Sequence, residues 1–65
     1  MENHIAAFRK QCRLSQAELA QAVGVSRQTI TSLEVGKYTA SLPLAFKLAR
    51  YFECTIEDLF IFEEA

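Results

Sequence analysis

The stretch SQAELAQAVGVSRQTITSLEV, Ser15 to Val35, holds two short helix patterns hinged on one glycine. Ser15 precedes an apolar series at Leu19, Ala20 and Val23, and Ser26 precedes a second at Ile30 and Leu33. A serine oxygen accepts a hydrogen bond from the free N–H groups of a first helical turn, so each serine marks a helix start. Glu18, three residues after Ser15, completes a capping-box pattern. Gly24 closes the first pattern, at a point where left-handed backbone is cheap only for glycine.

Two helices joined through so short a turn must cross steeply. That is helix-turn-helix geometry, spanning residues 15–35 here, in which the second helix enters the major groove of DNA. Working outward, residues from about Asn3 to Cys12 read as a preceding helix with Ile5, Phe8 and Cys12 on one face. Gly36 to Ala40 is a connector carrying Lys37 and Tyr38. Ser41 caps a fourth helix over about Leu42 to Phe52, with Pro43 in its first turn, where a missing N–H costs nothing. Its apolar face is Leu44, Ala45, Leu48, Ala49 and Phe52. Thr55 caps a short fifth helix, and Asp58 stands in its acidic first turn. The predicted fold is all-α, with five compact helices in one domain over residues 1–65 and a short extended C-terminal segment.

That segment, Phe60-Ile61-Phe62, precedes Glu63, Glu64 and Ala65. Three consecutive large apolar residues this near a chain end are unusual, because termini tend to be polar and frayed. If extended, Phe60 and Phe62 point one way and Ile61 the other. Two readings stand: a tail folded back on its own core, or a surface for self-association. The second is favoured, with a dimerisation segment over about 56–63 and Ile56, Phe60, Ile61 and Phe62 as its interface.

A chain of 65 residues, 51% hydrophobic and 23% charged, can support a core, and no separate effector domain is expected. So short a chain hides only about 60% of its unfolded surface, which makes dimerisation useful to stability. The net charge of −1 is lopsided: residues 1–50 hold all seven bases and three acids, net +4, and residues 51–65 hold five acids and no base, net −5. A basic body suits a DNA-facing side, with the acidic tail turned away from phosphate.

Other classes fit poorly. Cys12 and Cys54 are expected to be reduced, Cys54 as a small buried hydrophobe, and two cysteines with one histidine do not make a zinc spacing. The single histidine, His4, has no nucleophile or base near it in sequence, and no glycine-rich phosphate loop occurs, so neither an enzyme nor a cofactor site is expected. No targeting peptide or membrane span is evident, which points to the cytoplasm.

The pattern from Arg27 to about Val35 leaves Arg27, Gln28, Thr29, Thr31 and Ser32 at its start and on its outer face, while Ile30 and Leu33 face inward. Arginine bonds guanine bidentately, glutamine does the same to adenine, and a threonine methyl touches thymine. Ordinary solvated helix faces carry Glu and Lys, whereas this one offers mixed donors and no acid before Glu34. Gln28 and Arg27 are therefore the leading base-reading candidates, with a phosphate contact as the alternative for Arg27. Thr29 is divided between a methyl packed inward and a hydroxyl near DNA. Glu34 would be repelled by DNA and needs a neutralising partner, for which Arg9 on the first helix is the natural choice. Gln16, Lys37, Tyr38 and Ser41 are candidate phosphate contacts, with Arg13 a weaker one and Ser26 and Thr31 completing the set. Lys10, Lys47 and Arg50 read as solvated charges.

The segment LSQAELAQAVGVSRQTITSLEVGKY closely resembles the signature of the Cro/C1-type (XRE) helix-turn-helix transcriptional regulators, and the likeness continues through SLPLAFKLARYFECTIEDLF. The resemblance implies a compact, five-helix, lambda-repressor-like DNA-binding domain. It also implies that Gln16 binds phosphate, that Arg27, Gln28, Thr29 and Ser32 face the groove, and that Arg9 pairs with Glu34. The Phe60-Ile61-Phe62 ending resembles minimal repressors whose C-terminal strand pairs between subunits. The sequence departs from the pattern at Cys12-Arg13, where glycine or lysine is common, at Ala40 in place of a proline, and at Val35-Gly36 in place of Asn-Gly. The expected function is a homodimeric repressor of a two-fold symmetric operator. The alternative is an antitoxin-like protein-interaction module that also binds its own promoter.

Overall fold

The computed structural model describes residues 1–62, so position 63 of the expected dimerisation segment lies outside the described residues. Five helices follow one another: α1 Ile5–Gln11, α2 Gln16–Val23, α3 Arg27–Glu34, α4 Leu42–Tyr51 and α5 Ile56–Leu59. Among the described residues the extended backbone amounts to one isolated antiparallel bridge, Asn3 to Phe60. The fold is all-α, and no described helix is long and apolar enough to cross a membrane.

Local chemistry sets four of the five helix starts. Ser15 accepts from the Glu18 N–H, Ser26 from Thr29, Ser41 from Leu44 and Thr55 from Asp58. Glu18 and Asp58 return the bond to the backbone N–H of Ser15 and Thr55, closing two full capping boxes. These N–H bonds hold both exposed carboxyls below their usual range. Gly24 ends α2 at φ 76°, and the Val25 N–H donates to the Ala20 carbonyl across it at 2.9 Å. Gly36 does the same beyond α3 at φ 80°, with Lys37 N–H on the Ser32 carbonyl at 3.1 Å and Gly36 N–H on Leu33 at 3.0 Å.

The chain makes the same left-handed exit twice without glycine. Arg13 after α1 has φ 58° and Glu53 after α4 has φ 55°. Leu14 N–H reaches back to the Arg9 carbonyl, and Cys54 N–H to Ala49, so the hydrogen bonds of the turn are made despite the Cβ penalty.

The core lies where all five helices meet. Ile5 of α1, Leu19 of α2, Ile30 and Leu33 of α3, Leu48 of α4 and Leu59 of α5 are fully buried. Each contributes about 1.5–3 kcal/mol relative to exposure. Phe8 and Phe52 pack at the edge of this core with their rings tilted by 45°, centroids 5.6 Å apart.

Three expectations need correction. α1 starts at Ile5, not Asn3, because Asn3 is drawn out to pair with Phe60 and its Oδ1 caps the Ile5 N–H at 3.1 Å. Cys12 is exposed and follows the helix, so it does not share the inward face of Ile5 and Phe8. Cys54 is half-buried against the core, not fully buried; burial and Asp58 push its thiol pKa up.

A candidate nucleic-acid interface

α2 and α3 make the most extensive helix–helix contact in the fold, and the turn at Gly24 fixes their crossing. Burying Ile30 and Leu33 presents the opposite side of α3 to solvent. Arg27, Gln28 and Thr31 are exposed there, and Thr29 and Ser32 are half-buried. Ser26, Gln28, Thr29 and Ser32 line one shallow depression, whose far wall is Tyr38 from the connector after α3. Arg27 is exposed at the start of the helix and does not line it. The Ser26 and Thr29 hydroxyls lie 3.0 Å apart, so Thr29 keeps its oxygen on the outer side.

At its C-terminal end α3 is closed behind by an ion pair. Arg9 Nε donates to Glu34 Oε2 at 2.7 Å and Nη2 to Oε1 at 3.2 Å. A third donor of Arg9, Nη1, reaches the Leu14 carbonyl at 2.8 Å. The Arg9 and Glu34 side chains are only 13% and 8% exposed. Burial pushes the Glu34 carboxyl up, but the bonds from Arg9 and Gln16 and the charges of Arg9 and Lys10 outweigh it, leaving the pKa low. The bonds that Arg9 donates to Glu34 raise the pKa of its guanidinium. The acid of the exposed helix is thus neutralised and turned from the outer face, which stays free of negative charge up to Glu34.

Sequence reasoning gave Gln16 to phosphate alone. Its side chain is occupied within the protein: Nε2 donates to Glu34 Oε1 at 3.0 Å, and its Oε1 accepts from the Thr31 hydroxyl at 2.9 Å. The Thr31 hydroxyl also lies 3.1 Å from the Arg27 carbonyl and, having one proton, serves one acceptor at a time. Four side chains from three helices, Arg9, Glu34, Gln16 and Thr31, therefore form one chain of bonds running from the back of the motif to its outer rim. No periodicity could reveal it, since the partners lie 15 to 25 residues apart.

Of the remaining candidates only Tyr38 lines the depression. Lys37 and Tyr38 are both exposed, Lys37 preceding Tyr38 in the connector. Ser41 is exposed, with its oxygen committed to the cap of α4. Arg13 is exposed on its left-handed turn before α2. Among the described residues no cluster of His, Cys, Asp and Glu could hold a metal ion.

A second surface is apolar. Met1, Ala40, Leu42, Ala45, Ile56, Phe60 and Phe62 line a groove between α4, α5 and the chain ends. Phe62 is 74% exposed and Leu42 65%. Ile56 and Phe60 are half-buried, packing on the core from this side, so the tail folds back in part and still leaves Phe62 uncovered.

Comparison with known proteins agrees with this geometry. The helix-turn-helix family profile matches residues 5–59. An uncharacterized HTH-type transcriptional regulator of Archaeoglobus fulgidus is 53% identical over 64 residues, covering 98% of this chain and 90% of that one. A counterpart in Methanocaldococcus jannaschii is 50% identical over 64 residues, covering 98% and 97%. One in Bacillus subtilis is 41% identical with the same coverage of both chains. With α2, the Gly24 turn and α3 inside the matched span, the chain belongs to the helix-turn-helix family in its XRE, or Cro/C1, form, a transcriptional regulator with a helix-turn-helix DNA-binding domain.

Proposed function

We propose that this regulator is a cytoplasmic repressor that reads a two-fold symmetric operator as a homodimer. One observation carries the reading: the depression lined by Gln28, Thr29 and Ser32 is made of neutral donors and acceptors, and the acid of the same helix is sealed behind it by Arg9. Such a face matches base edges, which are neutral and patterned, better than it matches a charged protein surface. Gln28 is the leading base reader, with Arg27, Thr29 and Ser32 beside it. Lys37, Tyr38, Arg13, Ser26, Thr31, Ser41 and the first turn of α2 at Gln16 would hold the phosphates and set the register.

One α3 spans too few base pairs to be selective, so two copies must act together. The apolar groove of Leu42, Ile56, Phe60 and Phe62, with Ile61 in an adjoining depression that Phe62 also lines, supplies a surface for the second copy. The two reading helices would then stand about 34 Å apart, one turn of DNA. Bound dimer would exclude polymerase from an overlapping promoter.

Selection of bound duplexes from a random pool tests this directly. The expected product is an inverted repeat with half-site centres about 10 base pairs apart. Enrichment of single, unsymmetrical sites would overturn the dimer, and no enrichment at all would overturn sequence reading.

A further inference from the structure

The segment Glu2–His4 sits between the apolar tail and the reading helix and is bonded to both. On one side it runs antiparallel to the tail: the His4 N–H donates to the Leu59 carbonyl at 2.7 Å, and the Ile61 N–H to the Glu2 carbonyl at 2.9 Å. On the other side Asn3 Nδ2 donates to the Leu33 carbonyl, in the last turn of α3, at 2.7 Å. The other end of the same amide accepts from the Ile5 N–H, which fixes the side chain at both ends.

The Leu33 carbonyl is one of the four that a helix C-terminus leaves without an intrahelical partner. It takes the Gly36 N–H and, from outside the helix, Asn3. Among the described residues, the other side-chain bonds tying α3 to its neighbours are those of Glu34 and Thr31, to α1 and α2. Asn3 is therefore the side-chain link between α3 and the tail; the Met1 ammonium adds a bond to the Gly36 carbonyl, just beyond the helix, at 3.1 Å. α3 is eight residues long, about 12 Å. A tilt of about 5° displaces one end by about 1 Å, and base-edge hydrogen bonds tolerate roughly half that.

We propose that Asn3 is a positioning residue for DNA reading: its amide locks the C-terminal end of α3 to the Leu59–Ile61 tail, so the angle of the reading helix is set by the segment that also carries the self-association surface. This rests on base reading by α3 and adds a residue that touches no DNA.

The test uses the full chain with Asn3→Asp and Asn3→Ala. Asn3→Asp keeps the acceptor for the Ile5 N–H and removes the donor to Leu33; Asn3→Ala removes both. Affinity is measured for the selected duplex and for a scrambled duplex at one salt concentration, well below each protein's melting temperature. The expected result is a loss of about tenfold in the ratio of the two affinities for both variants, with scrambled-duplex binding little changed. A lowered melting temperature with an unchanged ratio would overturn the proposal and leave Asn3 merely structural. Gln28→Ala separates the failures: if it lowers the ratio and the Asn3 variants do not, base reading stands and the positioning role falls. A wild-type chain that binds both duplexes equally would overturn base reading and this role with it.

Discussion

Arg9 of α1 and Glu34 at the end of α3 meet in a two-point ion pair, with Nε to Oε2 at 2.7 Å and Nη2 to Oε1 at 3.2 Å. The relationship does two things. It fastens α3 to the helix behind it, and it removes the one acid of α3 from that helix's exposed face. The Gln16 amide takes the remaining approach to Glu34 Oε1, so neither oxygen is left unpaired. Pairs this shielded gain little net stability, because desolvation offsets attraction, yet breaking one from a single side strands a charge.

Glu34→Ala and Arg9→Ala should accordingly each cost about 3 kcal/mol in urea unfolding. The apolar double replacement, Arg9→Met with Glu34→Leu, should cost well under the sum. Additive losses would show that the two side chains act independently.

The pair also sets an acid limb. Glu34 titrates below its unfolded value of about 4.3, so its stabilisation is fully present above that pH and is lost as pH falls through the lower folded pKa. Glu18 and Asp58, both lowered by their capping bonds, act in the same direction. Glu34→Gln should thus flatten the decline of stability below about pH 4.5 without abolishing it. An unchanged slope would show that Glu34 is not the coupled group.

Arg13 and Glu53 hold left-handed backbone that glycine adopts without strain. Arg13→Gly and Glu53→Gly should each raise stability by about 0.5–1 kcal/mol, read from the urea midpoint. Loss of stability at either site would mean that the side chain contributes more than its backbone strain removes. Arg13→Gly has a second readout, since a lost phosphate contact would lower the salt slope of DNA binding by about 1.

Gln28→Ala should weaken binding by about 1–3 kcal/mol at its preferred base and relax preference there. Lys37→Ala should instead weaken all duplexes alike and reduce the salt slope by about 1. Competition binding across single-base variants of the site separates the two behaviours; equal losses on every sequence would make Gln28 a backbone contact.

Phe62 is 74% exposed and Leu42 65%, so neither supports the fold of one subunit. Phe62→Glu or Leu42→Glu should convert a sedimenting dimer to a folded monomer. A dimer that survives both changes would place self-association elsewhere.

Much of the fold is written locally. Ser15, Ser26, Ser41 and Thr55 each cap the helix that follows, and Gly24 turns the chain between α2 and α3, because these events involve bonds spanning three to five residues. The inward positions Leu19, Ile30, Leu33 and Leu48 follow from helical period alone. Where an extended partner competes, local reading fails: Asn3 has neighbours that suit a helix, but pairing with Phe60, 57 positions away, holds it outside α1.

The sequence by itself determined helices α2 to α5 with their caps, the turn at Gly24 and the absence of any acid before Glu34 on the outer face of α3. Each of these depends on residues within about one helical turn of one another, where propensity and capping act. Tertiary structure alone decided that Gln16 and Thr31 join the Arg9–Glu34 pair, that Tyr38 walls the depression beside Gln28, and that Asn3 clasps the end of α3. Those contacts join groups whose separation along the chain is unrelated to their separation in space. Only the burial of Ile5, Leu19, Ile30, Leu33, Leu48 and Leu59 in one core brings them within bonding distance.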